Sequence, residues 1–184
     1  MIFETLARVE GPNLALRLIR PEDAEYVHSL RTDPAYNKHL SPVRGAAADQ
    51  RRWIEAYKAR EATLSELYYV IERRDGIPCG LVRLYDIGCD SFTWGSWILD
   101  HNKTRKAALE SAVLSFGVGF DNLHLSQALV DVRCDNDRAL AIYQRLGMTE
   151  LRRDDQDVYF SYPRTRFDAD RAAYQAILQA EDLS

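Results

Sequence analysis

Cysteine is scarce in this chain: Cys79, Cys89 and Cys134 are the whole set among 184 residues. An odd number without CxxC spacing offers neither a disulfide framework nor a zinc site, and it fits reduced thiols in a cytoplasmic protein. Long apolar runs are missing too. No stretch approaches the roughly 20 residues that span a bilayer, so no membrane association is expected. The N-terminal stretch MIFETLARVEGPNLALRLIR has no basic head followed by an apolar run, which argues against a signal peptide. Nor is there a basic excess, with 24 Lys+Arg against 28 Asp+Glu and a net charge of −4. A nucleic-acid binder would show a basic stripe, so that partner class is set aside. No repeat, low-complexity tract or linker interrupts the chain, and one domain over residues 1–184 is expected.

What is present is a core-forming composition, 46% hydrophobic, arranged in two periods. Residues 14–19, 67–72, 79–87, 92–99, 128–133 and 158–162 read as strands, with Asp75-Gly76 as a hairpin turn. Helical spacing follows Pro21-Glu22-Asp23 in Ala24, Val27 and Leu30, and returns near residues 47–60, 104–120, 137–146 and 168–179. Residues 35–45 read as a loop. The helix between strands 92–99 and 128–133 calls for a crossover, so those two should be parallel. The expected fold class is α/β (α+β): a single mixed, mostly antiparallel sheet of six or seven strands flanked by helices.

The stretch CDNDRALAIYQRLGM (residues 134–148) combines several signals. Asn136 is suited to cap a helix, Ala139, Ile142, Tyr143 and Leu146 share one stripe, and Gly147 can end it. A capped, half-buried helix accounts for all of this. The spacing N-x-x-A-x-x-x-Y-x-x-x-G-[FM] also resembles the closing motif of the GCN5-related N-acetyltransferases (GNAT). Upstream, GSWILDHNKTRKAALESA (residues 95–112) is similar to the strand, loop and helix that hold acetyl-coenzyme A in that family. LRLIRPEDAEYVHSLRTDP (residues 16–34) is similar to its first strand and helix.

The resemblance implies that the fourth and fifth strands, the parallel pair, splay apart. It implies acetyl-coenzyme A-dependent transfer to a primary amine by direct attack, with no metal. The strand end Trp97, Ile98 and Leu99 would pair with the pantetheine arm as a peptide adds to a sheet edge, and a free N–H there would face the oxyanion. Lys103, Thr104, Arg105, Lys106, Ala107 and Ala108 correspond to the phosphate-binding consensus [QR]-x-x-G-x-[GA], with Lys106 replacing the middle glycine. A side chain there restricts positive φ and close backbone approach. Lys103, Arg105 and Lys106 at a helix start would instead attract a pyrophosphate by charge. The plain alternative, a solvated basic helix start, opposes the helix dipole.

By the same resemblance Tyr143 lies near the thioester sulfur. A phenol pKa of about 10 against about 8.5 for a thiol lets it donate to the departing thiolate; the alternative is a core tyrosine. Asn136 would cap its helix and touch the coenzyme as well. Asp131 matches a proposed base of some amino-sugar acetyltransferases. A carboxylate pKa of about 3.9 suits that role only if burial raises it, and Asp131 could equally hold the substrate. His39, in YNKHLSP, is a second candidate base, while His28, His101 and His124 have no partner spacing. The acceptor is expected to be a small-molecule amine, in the branch that acetylates amino sugars carried on nucleotides. Gln50 stands where some of that branch have histidine. A neighbouring branch acetylates N-termini of ribosomal proteins, and a non-catalytic relative binding another ligand is a third reading. Trp53, Tyr57, Tyr85, Trp94 and Trp97 could present flat faces to a sugar or base, or simply fill the core. The family also allows a homodimer.

Overall fold

The computed structural model describes residues 2–180. Helix α1 (Ile2–Ala7) runs into β1 (Arg8–Glu10) and β2 (Leu14–Leu18). A 3-10 turn at Pro21–Asp23 opens α2 (Ala24–Thr32), followed by α3 (Pro34–Asn37) and α4 (Ala47–Ala62). Strands β3 (Leu67–Arg73), β4 (Pro78–Tyr85) and β5 (Ser91–Leu99) form a meander. Helix α5 (Ala107–Gly117), prolonged by a π turn over Val118–Asn122, crosses to β6 (Gln127–Arg133). Then come α6 (Asp137–Arg145), β7 (Thr149–Arg153), β8 (Asp157–Pro163) and α7 (Arg164–Gln179).

The strands make one sheet in the order β1-β2-β3-β4-β5-β6-β8-β7, antiparallel throughout except for β5–β6. The described sheet has eight strands, where periodicity anticipates six or seven. The additional ones are β1 and β7, the two edges. Neither buries a residue, and a strand without a buried face has no alternation to read. Two helix starts also move. Helix α5 begins at Ala107, not at 104, because Asp100 folds the preceding residues into turns. Its carboxylate accepts the Asn102 N–H at 2.7 Å and its carbonyl accepts the Lys103 N–H at 3.1 Å. Helix α7 starts at Arg164, directly after Pro163 at the end of β8. Within the expected loop, α3 is opened by Pro34 and by the Asp33 carboxylate, which accepts the Ala35 N–H at 2.8 Å.

Helices cover both faces of the sheet. On one face Phe92, Trp94, Phe116, Phe120, Tyr143, Phe160, Tyr162 and Phe167 form an aromatic-rich core with α5, α6 and α7. On the other, Ile19, Val27, Ile54, Tyr57, Tyr68, Val70, Leu81 and Ile98 pack with α2 and α4. Strand β3 shows why its sequence reads as a continuous apolar run. Leu67, Tyr69 and Ile71 enter the first core, and Tyr68 and Val70 enter the second.

Strand β5 breaks this alternation. Phe92 and Trp94 face α5, and so do Trp97 and Leu99, while Ile98 belongs to the opposite core. Leu81 of β4 lies opposite Ile98, but Arg83 lies opposite Gly95, so β5 carries one extra residue. The bulge centres on Ser96, at φ +49. A non-glycine residue in the left-handed region costs roughly 1 kcal/mol, and a one-residue slip exchanges the two faces for everything beyond it.

Candidate active site

Strands β5 and β6 pair at Ser91–Gln127, Phe92–Ala128 and Thr93–Leu129, and no further. Both continue, β5 to Leu99 and β6 to Arg133. The bulge at Ser96 bends β5 just beyond the last pair, as an inserted residue does. From Trp94 onward the β5 edge facing β6 therefore has no strand partner among the described residues. Backbone polar groups left in such a slot need another partner, since an unmet buried one costs about 1–3 kcal/mol.

The parted strands open a cleft of about 1290 Å³. Trp97, Leu99, Lys103 and Ala108 line one wall; Asp131, Asn136, Ala139 and Tyr143 line the other. The cleft continues across β4 to Arg31, Gln50, Trp53, Arg60, Glu66, Arg83 and Tyr85. Its lining holds eight Lys/Arg and four Asp/Glu, an excess of four positive charges, although the whole chain carries −4. The basic character that the whole-chain composition lacks is present as a local feature.

Trp97 and Trp94 both reach α5. The Trp97 Nε1–H donates to Ser111 Oγ at 3.1 Å and the Trp94 Nε1–H to Ser115 Oγ at 2.8 Å. Trp94 is wholly buried and belongs to the core, whereas Trp97 also lines the cleft. The Ile98 side chain points into the opposite core, so only its backbone is available to the slot.

The six-residue phosphate segment divides. Lys103 and Ala108 line the main cleft, and Ala107 is buried. Thr104, Arg105 and Lys106 border a separate cavity of about 380 Å³ beside Leu178, Gln179 and Ala180. Lys106 Nζ donates to the Ala180 carbonyl at 2.5 Å, so this cation meets the end of α7. Lys106 has φ −98, a conformation open to any residue, so replacing glycine here carries no backbone penalty.

In α6, the Asn136 Oδ1 accepts the Ala139 N–H at 3.2 Å, the expected cap. At its other end Gly147, at φ +74, gives its N–H to Gln144 while the Met148 N–H reaches the Tyr143 carbonyl. That pair of bonds is a Schellman closure. Tyr143 is thereby fixed edge-on against Trp94 and Phe160, with ring centroids at 6.0 and 5.9 Å. Its hydroxyl has no hydrogen-bond partner among the described residues. Burial, then the nearby Asp131 and Tyr85, push its pKa well above that of a free phenol, so it stays protonated.

Asp131 lies on the cleft side of β6, between Val130 and Val132, which are buried on the other side. Enclosure by the cleft walls, then the charge of Asp157, raise its pKa. Tyr85, across the slot, is pushed up to about 12, mainly by burial and next by Asp131. Its ring packs on Gly95: a Cβ there would stand 3.3 Å from the Tyr85 hydroxyl. His39 lines the cleft with Nδ1 3.2 Å from Asp135 Oδ1, tying the α3–α4 loop to the start of α6. Of the remaining named aromatics, Trp53 lines the cleft, and Tyr57 is buried with its hydroxyl accepting the Tyr68 N–H at 2.8 Å. The His28 ring lies 3.0 Å from the Gly45 carbonyl.

Several cleft residues carry no role in the sequence pattern, among them Arg31, Arg60, Glu66, Arg83 and Ser96. Glu66 is buried and accepts from Arg60 Nε at 2.6 Å and Arg83 Nε at 2.5 Å. Arg83 also stacks 4.5 Å above Tyr85. Its signal was available, a lone arginine within the apolar run GLVRLY. Ser96 and Arg31 offered none, because a bulge and the far wall of a cleft are products of packing.

A search of curated proteins gives no match. The model of the acetyltransferase (GNAT) domain matches residues 13–149. Among solved structures, FdhC, a nucleotide-linked sugar GNAT, is 34% identical, with TM-score 0.86 over 93% of this chain and 98% of its own. A GCN5-related N-acetyltransferase from Brucella melitensis shares the fold at TM-score 0.80 and 17% identity, over 97% of this chain and 88% of its own. A point variant of the spermidine N-acetyltransferase SpeG from Vibrio cholerae does so at TM-score 0.70 and 18% identity, over 85% and 97%. The parted strands, the capped helix behind them and these likenesses agree, and the chain belongs to the GNAT acetyltransferase family.

Proposed function

We propose that this N-acetyltransferase moves the acetyl group of acetyl-coenzyme A to the primary amine of a sugar carried on a nucleotide. The observation that carries the reading is the unpaired β5 edge beyond Thr93, opening beside Tyr143. A pantetheine arm is an extended chain with two amides, and a free strand edge is the complement of such a chain. The first turn of α5 and Lys103 offer N–H groups, a positive dipole end and a cation to its phosphates. The coenzyme supplies the activated acyl group; the protein's residues align it and manage protons.

The reaction joins the acceptor nitrogen to the acyl carbon and releases a thiolate. Tyr143, held protonated by its surroundings, is the donor suited to that thiolate. Asp131, with its pKa raised, is suited to take a proton from the incoming ammonium or to hold it. The positive excess of the cleft favours an anionic acceptor and disfavours a polyamine. The relative at 34% identity supports the same acceptor class.

Thermal unfolding with and without acetyl-coenzyme A tests the first half. Ligand at 100 times Kd should add about 2.7 kcal/mol of stability, and no shift at millimolar ligand would remove the reading. Steady-state rates with amino-sugar nucleotides, peptides and spermidine test the second half. Spermidine as the best acceptor would overturn the acceptor class.

A further inference from the structure

The acceptor end of the cleft contains a guanidinium with an unmet donor. Arg31, in the last turn of α2, gives Nη2 to the Ser41 carbonyl at 3.1 Å. Its Nε is buried and has no partner among the described residues, yet the residue lines the cleft. The buried Tyr68 hydroxyl lies within hydrogen-bonding reach of the Arg31 side chain and close to Arg83, and like Arg31 Nε it has no well-formed hydrogen bond among the described residues. Tyr68 and Arg83 are direct register partners across β3 and β4, so both guanidinium groups meet at one place on the wall. Arg83 and Arg60 each spend Nε on Glu66, so this one carboxylate serves two guanidinium groups.

A buried charged donor without an acceptor is costly, and a ligand or a water that enters the cleft can meet it. The acceptor should be an anion with several oxygens around one centre. A guanidinium fork matches a phosphoryl group in two parallel N–H···O bonds, and a tyrosine hydroxyl adds a third donor. The coenzyme's phosphates do not account for this site. Ala108, Arg138 and Arg145 belong to α5 and α6 and Lys103 to the turn before α5, whereas Arg31, Arg60 and Arg83 belong to α2, α4 and β4.

We propose that Arg31, backed by Arg83 and Tyr68, is the anchor for the diphosphate of the nucleotide-linked acceptor. Arg31 thus determines specificity without touching the reacting amine. The proposal rests on the acetyltransferase reading of the cleft, and it predicts that acceptor recognition depends on the phosphates more than on the sugar. Glu66 has the supporting task of fixing the Arg83 and Arg60 forks.

The test is calorimetric titration of the full chain, saturated with coenzyme A so that the coenzyme's own phosphate sites are filled. Uridine, thymidine, guanosine and cytidine diphosphates are the probes, with the free nucleosides as controls. At least one diphosphate should bind, with its nucleoside at least about tenfold weaker, and Arg31→Ala should weaken the diphosphate at least about tenfold. Coenzyme A affinity of the variant should stay within about twofold, which also reports that it is folded. Should Arg31→Ala fail to fold, Arg31→Lys decides, because it keeps the charge and loses the Nε–H. Several-fold weaker diphosphate binding supports the anchor, and unchanged binding overturns it. Failure of every diphosphate to bind the coenzyme-loaded protein also overturns it and leaves the acetyltransferase reading standing. Failure of coenzyme A itself to bind removes that reading instead.

Discussion

Strands β5 and β6 behave in two ways within one pair. Over Ser91–Thr93 they are joined in parallel register, with Phe92 wholly buried against Phe116 and Phe120. Over Trp94–Leu99 the same strand lies alone on that side and lines a cleft. Composition does not separate the halves, since both are rich in aromatic and β-branched residues. One inserted residue does. The bulge at Ser96 turns β5 away from β6 while keeping it paired with β4, so the sheet stays continuous on one side and opens on the other. The joined half contributes apolar burial; the open half exposes backbone groups that only a ligand or water can satisfy.

Removing Ser96 should break the contrast most completely. Without it Ile98 would turn toward α5 and Trp97 away, costing about 3 kcal/mol or more by core disruption. The stabilisation by acetyl-coenzyme A should disappear; a folded deletion variant that still gains stability would show that the bulge does not open the slot. Next in size is Tyr143→Phe. The ring packing stays and a donor to the thiolate goes, so kcat should fall about 10²-fold while coenzyme affinity changes little. Equal turnover in the two proteins would take the proton-donor role from Tyr143.

A smaller effect distinguishes the two cavities beside α5. Lys103→Ala should weaken coenzyme binding about tenfold at low salt and less near 1 M, where the Debye length is about 3 Å. Arg105→Ala, altering the cavity near α7, should change it much less. Similar losses for both would mean that the two cavities act as one phosphate site. The smallest expected change is in stability. Because the folded protein raises the Asp131 pKa, its ionisation opposes folding, and stability falls as pH climbs from the ordinary carboxylate range through the raised value. Asp131→Asn should therefore melt slightly higher than wild type at neutral pH and equally below the ordinary carboxylate pKa. A variant less stable at neutral pH would contradict the assigned shift.

The residues that sequence reading handled well are those whose signal is local. Asn136 and Gly147 bound α6 as their cap chemistry requires, and the crossover helix made β5 and β6 parallel. The phosphate segment was harder. Its three cations fall within four residues, but the turns set by Asp100 send Lys103 to one cavity and Arg105 and Lys106 to another. Neither the concern over Lys106 nor the concern over the helix dipole could be settled locally, because the answers are a negative φ and the end of a helix more than seventy residues away. The edge strands β1 and β7 leave no mark in the periodicity because neither has a buried face.

The amino-acid sequence by itself determined the strand at β3, the parallel crossover, the capped helix carrying Tyr143 and the family likeness. All of these follow from spacing along the chain. Tertiary structure alone decided that β5 would slip a register at Ser96 and that a chain of net charge −4 would gather positive charge in one cleft. It also left the Arg31 Nε without a partner among the described residues. The reason is physical: each depends on groups brought together across the sheet, and spacing along one segment carries no record of what will face it.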